Sequence, residues 1–396
     1  MWVGCVEDFH SRSAGSPRRR PRMQCVCFLS GVAPRPYNCA VPSSSRFAAH
    51  LLRTSSRAYA AAAVGVLQRE HPQLLADGMP AAFADPIDDT HVRILHLAES
   101  VAVDRPALLA HCTAWYKVAL HHRGVPDDYL AANLEALATA LQSELPSAAA
   151  AVVLRHLKLA RAHLDEAPHD LPCLLSRSAP YGELAARFLL AVLEGRGDDA
   201  MDLVQGALAD GATVADLHDH VLTVVQRETG RMWVMGEIAI ADEHYGSAIV
   251  DRALCVLHER LPRPAADAPR VVTLGVGGNL HDFGLRLVAQ RLQFAGFAVH
   301  YLGSNMPAMD LDQVLQDRRF DLVAIAATLV LHLGTLTQTI EQVREIASAG
   351  RHLPILVGGL PFEIVPDLHQ VIGADAAAVD AESAVAAATR LVASRA

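Results

Sequence analysis

The stretch Val271-Val272-Thr273-Leu274-Gly275-Val276-Gly277-Gly278-Asn279-Leu280-His281-Asp282-Phe283-Gly284 decides the fold of the last third of the chain. An apolar run, 271–277, leads into a polar loop, and a helical pattern follows from Leu285 to Phe294. This order is typical of a strand, loop and helix in a parallel sheet. Ligands bind at the carboxyl ends of the strands in such sheets, and this is where the loop presents His281.

Four more apolar runs follow at regular spacing, and helical patterns separate them. The five predicted strands are Val271–Gly277, Ala298–Gly303, Leu322–Thr328, Pro354–Gly359 and Ala376–Val379. Strands that alternate with helices imply right-handed βαβ units. We therefore predict a doubly wound parallel sheet over residues 270–396.

A dinucleotide site is disfavoured at the first loop. Gly275-Val276-Gly277-Gly278-Asn279-Leu280 begins like the dinucleotide fingerprint, but Leu280 stands where the third glycine belongs. The second strand ends in His300-Tyr301-Leu302-Gly303, with no carboxylate for a ribose hydroxyl. A nicotinamide enzyme is therefore not expected.

The chain before the sheet is helical and divides into two predicted units. Residues 46–167 form an all-α domain of five or six helices, and residues 179–261 form four helices joined by short loops, which favours an antiparallel four-helix bundle. Residues 1–45 show no apolar period and are predicted to be a disordered tail. The predicted fold class is a multidomain α and α/β protein: an all-α domain, a four-helix bundle and a doubly wound parallel sheet.

Composition limits the partners and the compartment. A net charge of −9 disfavours a general role in nucleic-acid binding, and no run of about 20 apolar residues predicts a membrane span. The seven cysteines show neither zinc-ribbon spacing nor a disulfide framework, and no signal peptide is recognisable at the start. We expect a reduced, cytoplasmic protein.

The loop Asn279-Leu280-His281-Asp282-Phe283-Gly284 resembles the Asp-x-His-x-x-Gly motif of cobalamin-binding domains. The resemblance implies a Rossmann-like cobalamin-binding domain, in which His281 is the lower cobalt ligand and Asn279, Asp282 and Gly284 belong to the cofactor-binding loop. Asn279 replaces an acidic residue. Asparagine can orient the imidazole but contributes no charge, so a weaker bond from His281 to cobalt is expected than in relatives with the carboxylate.

Two further elements match the slot that holds the nucleotide tail of the cofactor in this family. Thr328 follows the third predicted strand, although Ala326 stands where a serine is usual. Gly358-Gly359 follows the fourth strand, where glycines let a buried base lie against bare backbone. The resemblance therefore adds Thr328, Gly358 and Gly359 to the cofactor-binding residues.

The bundle contains Trp233, then nine residues, then Glu243-His244. This pattern resembles the adenosylcobalamin-dependent bacterial photoreceptors, whose bundle caps the upper face of the corrin. It implies that Trp233 packs where the adenosyl group sits and that Glu243 and His244 line the same cavity. Val234 stands where the best-known members have a histidine that can ligate cobalt after photolysis, which leaves His244 or water for that site.

The N-terminal helical domain differs from the DNA-binding domain of the light-dependent repressors. Through Ala114–Val118 and His122–Pro126 it is similar to photocobilins, which are cobalamin photoreceptors with a second, bilin chromophore. This similarity makes biliverdin a candidate second cofactor beside adenosylcobalamin. Cys112 is either a thioether attachment point or a buried structural cysteine.

Three functions are compatible with these residues. The first is a light sensor, not an enzyme, in which photolysis of adenosylcobalamin changes the conformation or the light-dependent homo-oligomeric assembly and informs an unknown signalling partner. The alternative is a corrinoid protein that carries methyl groups between methyltransferases. A mutase subunit would need a substrate barrel of about 250 residues, for which the chain has no room. A non-corrinoid α/β binding module is the remaining interpretation.

Overall fold

The computed structural model describes residues 41–75, 85–307, 310–347 and 352–394. Within these ranges the predicted fold class is confirmed: a helical N-terminal region and a helical bundle precede a five-stranded parallel sheet. The predicted tail lies outside the described residues up to position 40. Its predicted boundary at residue 45 is wrong, because the first helix already begins at Ser43.

Over residues 41–75 and 85–167, the N-terminal region consists of six α-helices and one 3-10 turn, Pro72–Leu75. The helices are α1 (Ser43–Thr54), α2 (Ser56–Glu70), α3 (Pro86–Ala102), α4 (Pro106–His121), α5 (Tyr129–Glu144) and α6 (Ser147–Glu166). Asp85 starts α3, because its carboxylate accepts the backbone N–H groups of Ile87 and Asp88. The buried alanine and leucine side chains of these helices pack together in a core that contains Leu67, Leu137 and Leu141.

An extended linker leads from α6 to the bundle. The bundle consists of α7 (Gly182–Leu193), α8 (Gly197–Ala209), α9 (Val214–Leu217), a π turn (His218–Leu222), α10 (Thr223–Val234) and α11 (Ile240–His258). Thr213 and Asp216 form a capping box that starts α9, which continues through the π turn into α10. The predicted end of this third bundle helix at Gly230 is wrong. Gly230 is buried inside the helix, which ends one turn later, so Trp233 lies on it.

All five predicted strands are present. They are β1 (Arg270–Gly275), β2 (Ala298–Tyr301), β3 (Leu322–Ala326), β4 (Ile355–Gly358) and β5 (Ala376–Ala378), in the order β2-β1-β3-β4-β5. Every pairing is parallel. Gly275, Ala326 and Gly358 lie side by side at the carboxyl ends of β1, β3 and β4. The loops that follow these three strands therefore meet at one edge of the sheet.

Helices cover both faces of the sheet. They are α12 (Phe283–Phe294), α13 (Leu311–Asp317), α14 (Leu333–Ala347), α15 (Leu360–Ile364), α16 (Leu368–Val371) and α17 (Ala381–Ala393), and a 3-10 turn, Val330–His332, precedes α14. In the described part of the chain, no helix combines the length and the apolar character needed to cross a membrane.

The three regions pack against one another. Phe283 and Leu287 of α12 are buried in the core of the bundle. Val103, Leu108 and Cys112 of the N-terminal region share a core with β1 and β3, and α3 contacts the 3-10 turn Val330–His332. The N-terminal region thus reaches the same part of the sheet as the loops that follow β1 and β3.

Candidate functional site

Hydrogen bonds to the end of β3 hold the loop between β1 and α12 in place. Val276 N–H donates to the carbonyl of Ala326, and the Asn279 side chain is fully buried beside it. Asn279 Nδ2 lies 3.4 Å from the Ala326 carbonyl oxygen, and its Oδ1 accepts the backbone N–H of His281 at 3.3 Å. Asn279 therefore holds the backbone of His281, whereas the sequence led us to expect that it orients the ring.

His281 is buried and has an imidazole without partners. The residue is 8% exposed, and neither Nδ1 nor Nε2 forms a hydrogen bond with any residue that the structure describes. Burial, with a smaller contribution from nearby His332, lowers the pKa of His281 to about 4. The ring is consequently neutral at physiological pH and keeps a lone pair free. Leaving a buried polar group unpaired costs about 1–3 kcal/mol, so the fold maintains this ring at a cost.

These observations fit a cobalt-bound corrinoid. Imidazole nitrogen is a ligand for first-row transition metals, and a neutral ring is the form that ligates. Gly284, three residues further on, faces open space: a Cβ atom at this position would meet no atom within 4 Å. Open space at Gly284, three residues after the unpartnered imidazole, is compatible with a large flat cofactor.

Packing within the protein itself explains the glycine pair Gly358-Gly359 at the end of β4. Gly359 adopts φ +124°, and a Cβ atom there would lie 2.1 Å from the carbonyl oxygen of Ala327. A Cβ atom on Gly358 would lie 3.2 Å from the carbonyl oxygen of Ala378. Close packing of the loops after β3 and β4 therefore requires Gly359, whether or not a cofactor lies nearby. Thr328, half-buried, lies in the same loop after β3.

Asp282 joins the loop to the bundle. Its carboxylate accepts hydrogen bonds from Arg286 Nη2 at 2.8 Å and from the Tyr301 hydroxyl. Arg286 in turn lies 3.8 Å from Asp251 on α11. Sequence reasoning missed Arg286 and Tyr301. Arg286 follows Asp282 by four residues at the start of a helix, a spacing that could have indicated the pair.

His332 is a second site residue that the sequence did not reveal. It lies on the 3-10 turn before α14, its Nδ1 accepts the backbone N–H of Leu329 at 3.3 Å, and burial lowers its pKa to about 4. α3, which carries His96, contacts the same turn, and burial lowers the pKa of His96 to about 4, with smaller contributions from nearby Arg93 and His332. The only signal in the sequence was a histidine shortly after the third strand, at the ligand-binding edge.

Trp233 lies at the junction of the bundle and the N-terminal region. Its ring stacks on Trp115 with centroids 6.3 Å apart, and the Arg123 guanidinium lies 4.5 Å from its centroid. Arg123 also donates to the backbone carbonyls of Trp233 and Val234. The predicted packing of Trp233 against an adenosyl group stays a prediction, because its ring contacts Trp115 of α4 and Arg123 in the loop after α4.

Glu243 and His244 occupy the first turns of α11. Glu243 is buried and accepts a hydrogen bond from Ser247, which in turn accepts one from Gln226. The His244 side chain is 66% exposed, and its Nε2 lies 3.8 Å from Glu243 Oε2. Neighbouring helix positions point in different directions. Only Glu243 faces the bundle interior, and the shared cavity for the pair stays a prediction.

Cys112 is a structural cysteine. It is buried beside Val103 and Leu108 in the core shared with the sheet. Burial raises the pKa of its thiol to about 12, so the reactive thiolate is scarce at physiological pH. The buried-cysteine interpretation is thus favoured over a thioether attachment point.

Comparison with known proteins supports the corrinoid interpretation of this edge. Residues 269–389 match a family model described as a B12 binding domain, and residues 184–258 match a second model with the same description. The sheet region and the bundle thus each match a B12 binding domain.

The curated relatives are corrinoid proteins. Dimethylamine corrinoid protein 3 of Methanosarcina acetivorans is 26% identical over 203 residues, which are 51% of this chain and 93% of the relative. The trimethylamine corrinoid protein of Methanosarcina barkeri is 25% identical over 52% of this chain and 94% of its own length. The monomethylamine corrinoid protein of Methanosarcina barkeri matches in structure with a TM-score of 0.48 at 22% identity, covering 53% of this chain and 99% of that one.

The names of these relatives agree with the prediction of a cofactor-binding protein that is not itself an enzyme. Both domain matches begin after residue 183, so neither of them covers the N-terminal region.

Proposed function

We propose that this chain binds a corrinoid at the carboxyl edge of its sheet, beneath the bundle, with His281 as the lower cobalt ligand. The unpartnered, neutral imidazole of His281 is the observation that carries the proposal. Gly284 leaves room beside it, and Thr328, Gly358 and Gly359 lie on the neighbouring loops. Asp282 and Arg286 link the ligand loop to α11, so a change at the loop can reach the bundle.

We further propose that the protein is a light sensor with adenosylcobalamin as its chromophore. When bound, this cofactor supplies a cobalt–carbon bond that visible light breaks. The residues around the cofactor would convert the breakage of this bond into a change of conformation. Trp233 lies on α10, and Glu243 and His244 lie on the neighbouring bundle helix, α11. The N-terminal region contacts the end of α10 through Trp115 and Arg123.

The N-terminal region is the feature that favours a sensor. It contacts the bundle through Arg123 and Trp115, and it contacts the sheet region through α3 and the turn that carries His332. A region that touches both sides of the proposed cofactor site can respond to a change in their separation. Light-dependent assembly, an unknown signalling partner and biliverdin as a second chromophore remain predictions of this proposal.

A methyl-carrying corrinoid protein is the second candidate, and the curated relatives favour it. Their names place them among methylamine corrinoid proteins, and they match about half of this chain. For a carrier, the partner would be a methyltransferase, and the upper face of the cofactor would have to open to it. The contacts of the N-terminal region with the bundle would restrict that opening.

One experiment separates the two candidates. The full-length chain is loaded in darkness with adenosylcobalamin or methylcobalamin, and affinity, absorbance and elution volume are measured before and after green light. A sensor binds adenosylcobalamin more tightly and changes its spectrum and elution volume on illumination. Tighter binding of methylcobalamin, with an elution volume that light does not alter, would support the carrier. Addition of biliverdin in a parallel sample tests the second chromophore.

A further inference from the structure

A cluster of metal-ligating side chains lies on the N-terminal region, away from the corrinoid edge. It combines His121, the last residue of α4, with Asp127 in the next loop and His169 in the linker after α6. One ligand atom from each of the three residues lies within 4.8 Å of the other two. Residues far apart in sequence thus present two imidazoles and one carboxylate to a single point.

We propose that His121, Asp127 and His169 bind a divalent transition metal, with Zn²⁺ as the preferred ion. Zinc is held by histidine nitrogen and carboxylate oxygen at about 2.0–2.2 Å, which places tetrahedral ligand atoms about 3.4 Å apart. His121 Nδ1 lies 2.7 Å from Asp127 Oδ1, and His169 Nδ1 lies 3.8 Å from the same oxygen. These two distances lie on either side of the required spacing, and the His121 and His169 ligand atoms lie within 4.8 Å of each other, so side-chain movements within the cluster would complete the site.

The state of the ligand atoms supports this assignment. His169 Nδ1 is shielded from solvent and has no hydrogen-bond partner among the described residues. The His121 and His169 rings already lie together, with centroids 4.6 Å apart. Three protein ligands leave a fourth position for water or for another group.

A bound ion would join the linker to the N-terminal region. Two residues after His169, the backbone of Leu171 contacts the bundle: its N–H donates to Met235 Sδ at 3.4 Å, and its carbonyl accepts from Arg231. Met235 directly follows α10, which carries Trp233. The metal would therefore reinforce the junction at which the N-terminal region holds the end of α10, and it would do so without contact to the corrinoid edge.

Zinc counting on full-length variants tests this site. The chain, free of any affinity tag, is stripped with a chelator and titrated with Zn²⁺ in competition with a chromophoric chelator. His169→Gln and Asp127→Asn are compared with the wild type and with His258→Gln, which replaces an exposed histidine at the end of α11. Because the result is a difference between variants, zinc bound elsewhere, by the cysteines of residues 1–40 or by His281, cancels.

We expect each cluster variant to hold one zinc ion fewer than the wild type or to bind that ion at least tenfold more weakly, whereas His258→Gln matches the wild type. Zinc should also raise the thermal unfolding midpoint of the wild type more than that of the cluster variants. Equal zinc number and affinity in all four proteins would overturn the proposal. If Asp127→Asn fails to fold, His169→Gln decides alone, because its Nδ1 has no hydrogen bond to lose.

Discussion

At the scale of single residues, the candidate site depends on how one imidazole is held. The sequence correctly placed His281 on the loop after β1. Asn279 was expected to orient the His281 ring, but its side-chain amide instead contacts two backbone groups: the Ala326 carbonyl and the His281 N–H. A motif in the sequence shows which residue types recur, but it does not show whether a side chain contacts its neighbour's ring or its neighbour's backbone.

Asn279→Asp should therefore have two opposing effects. In the corrinoid-free protein it removes the N–H donor that faces the Ala326 carbonyl and buries a charge, which should lower the free energy of unfolding by roughly 1–3 kcal/mol. In the loaded protein, a carboxylate near His281 should strengthen the bond to cobalt and raise the affinity for cobalamin. Denaturant unfolding and binding titrations measure the two effects.

Asn305→Asp is the matched control for this substitution. Asn305 is exposed, and its Oδ1 accepts the backbone N–H of Gly278 at 2.8 Å, a bond that aspartate can also accept. This variant should keep the stability of the wild type. Equal stability and equal cobalamin affinity of Asn279→Asp and the wild type would contradict the role given to Asn279.

His218 should make the stability of the corrinoid-free protein sensitive to acid. It is fully buried, its Nε2 lies 3.0 Å from Gln290 Oε1, and burial lowers its pKa from 6.5 to about 4. Between pH 6.5 and about 4, the imidazole of His218 is protonated in the unfolded chain but not in the folded protein. The free energy of unfolding should therefore fall between pH 6.5 and about 4, by at most ~3 kcal/mol for this residue.

His218→Gln should flatten that part of the pH profile, and the comparison variant His220→Gln, in the same π turn, should leave it unchanged. Urea unfolding at a series of pH values measures both. A His218→Gln profile as steep as that of the wild type would show that the sensitivity arises elsewhere, for example at the buried histidines His156, His281 and His332.

At the scale of elements, the site is made by three loops that meet because β1, β3 and β4 are neighbours and parallel. The sequence predicted these strands well, because parallel strands buried on both faces read as continuous apolar runs. The end of the third bundle helix was harder to predict. Gly230 looks like a helix stop, but it packs inside the bundle, and tertiary contacts outweigh its low helix propensity.

The two glycines that border the site should respond in opposite ways to alanine. Gly359→Ala should lower the free energy of unfolding by at least about 1–3 kcal/mol, because the new Cβ would collide with Ala327 at a positive φ. Gly284→Ala meets no atom in the corrinoid-free protein and lies in the first turn of α12. It should keep or slightly raise the stability while weakening cobalamin binding.

Thermal unfolding of the corrinoid-free variants and cobalamin titrations distinguish these effects. If Gly284→Ala bound cobalamin as tightly as the wild type, the space beside this glycine would not be the cofactor's.

At the scale of the whole molecule, the arrangement of the three regions could not be predicted from the sequence. α3, which carries His96, contacts the turn that carries His332, although 236 positions separate the two histidines in the chain, and Arg123 donates to the carbonyls of Trp233 and Val234 across more than a hundred. Periodicity describes which face of an element is buried, not which other element covers it. The resemblance suggested a sensor role for the N-terminal region, but its contacts with the bundle and the sheet region emerged only from the structure.

The ligation of cobalt by His281 is tested most directly by electron paramagnetic resonance. The protein is produced with nitrogen-15 histidine, loaded with unlabelled cobalamin and reduced to the paramagnetic Co(II) state, and the splitting of the cobalt lines by the lower ligand is recorded. Ligation by His281 should change the nitrogen splitting from a triplet to a doublet on labelling, and His281→Ala should abolish the doublet. A triplet that persists in the labelled wild type would mean that the cofactor keeps its own benzimidazole ligand, and it would contradict the assignment of His281.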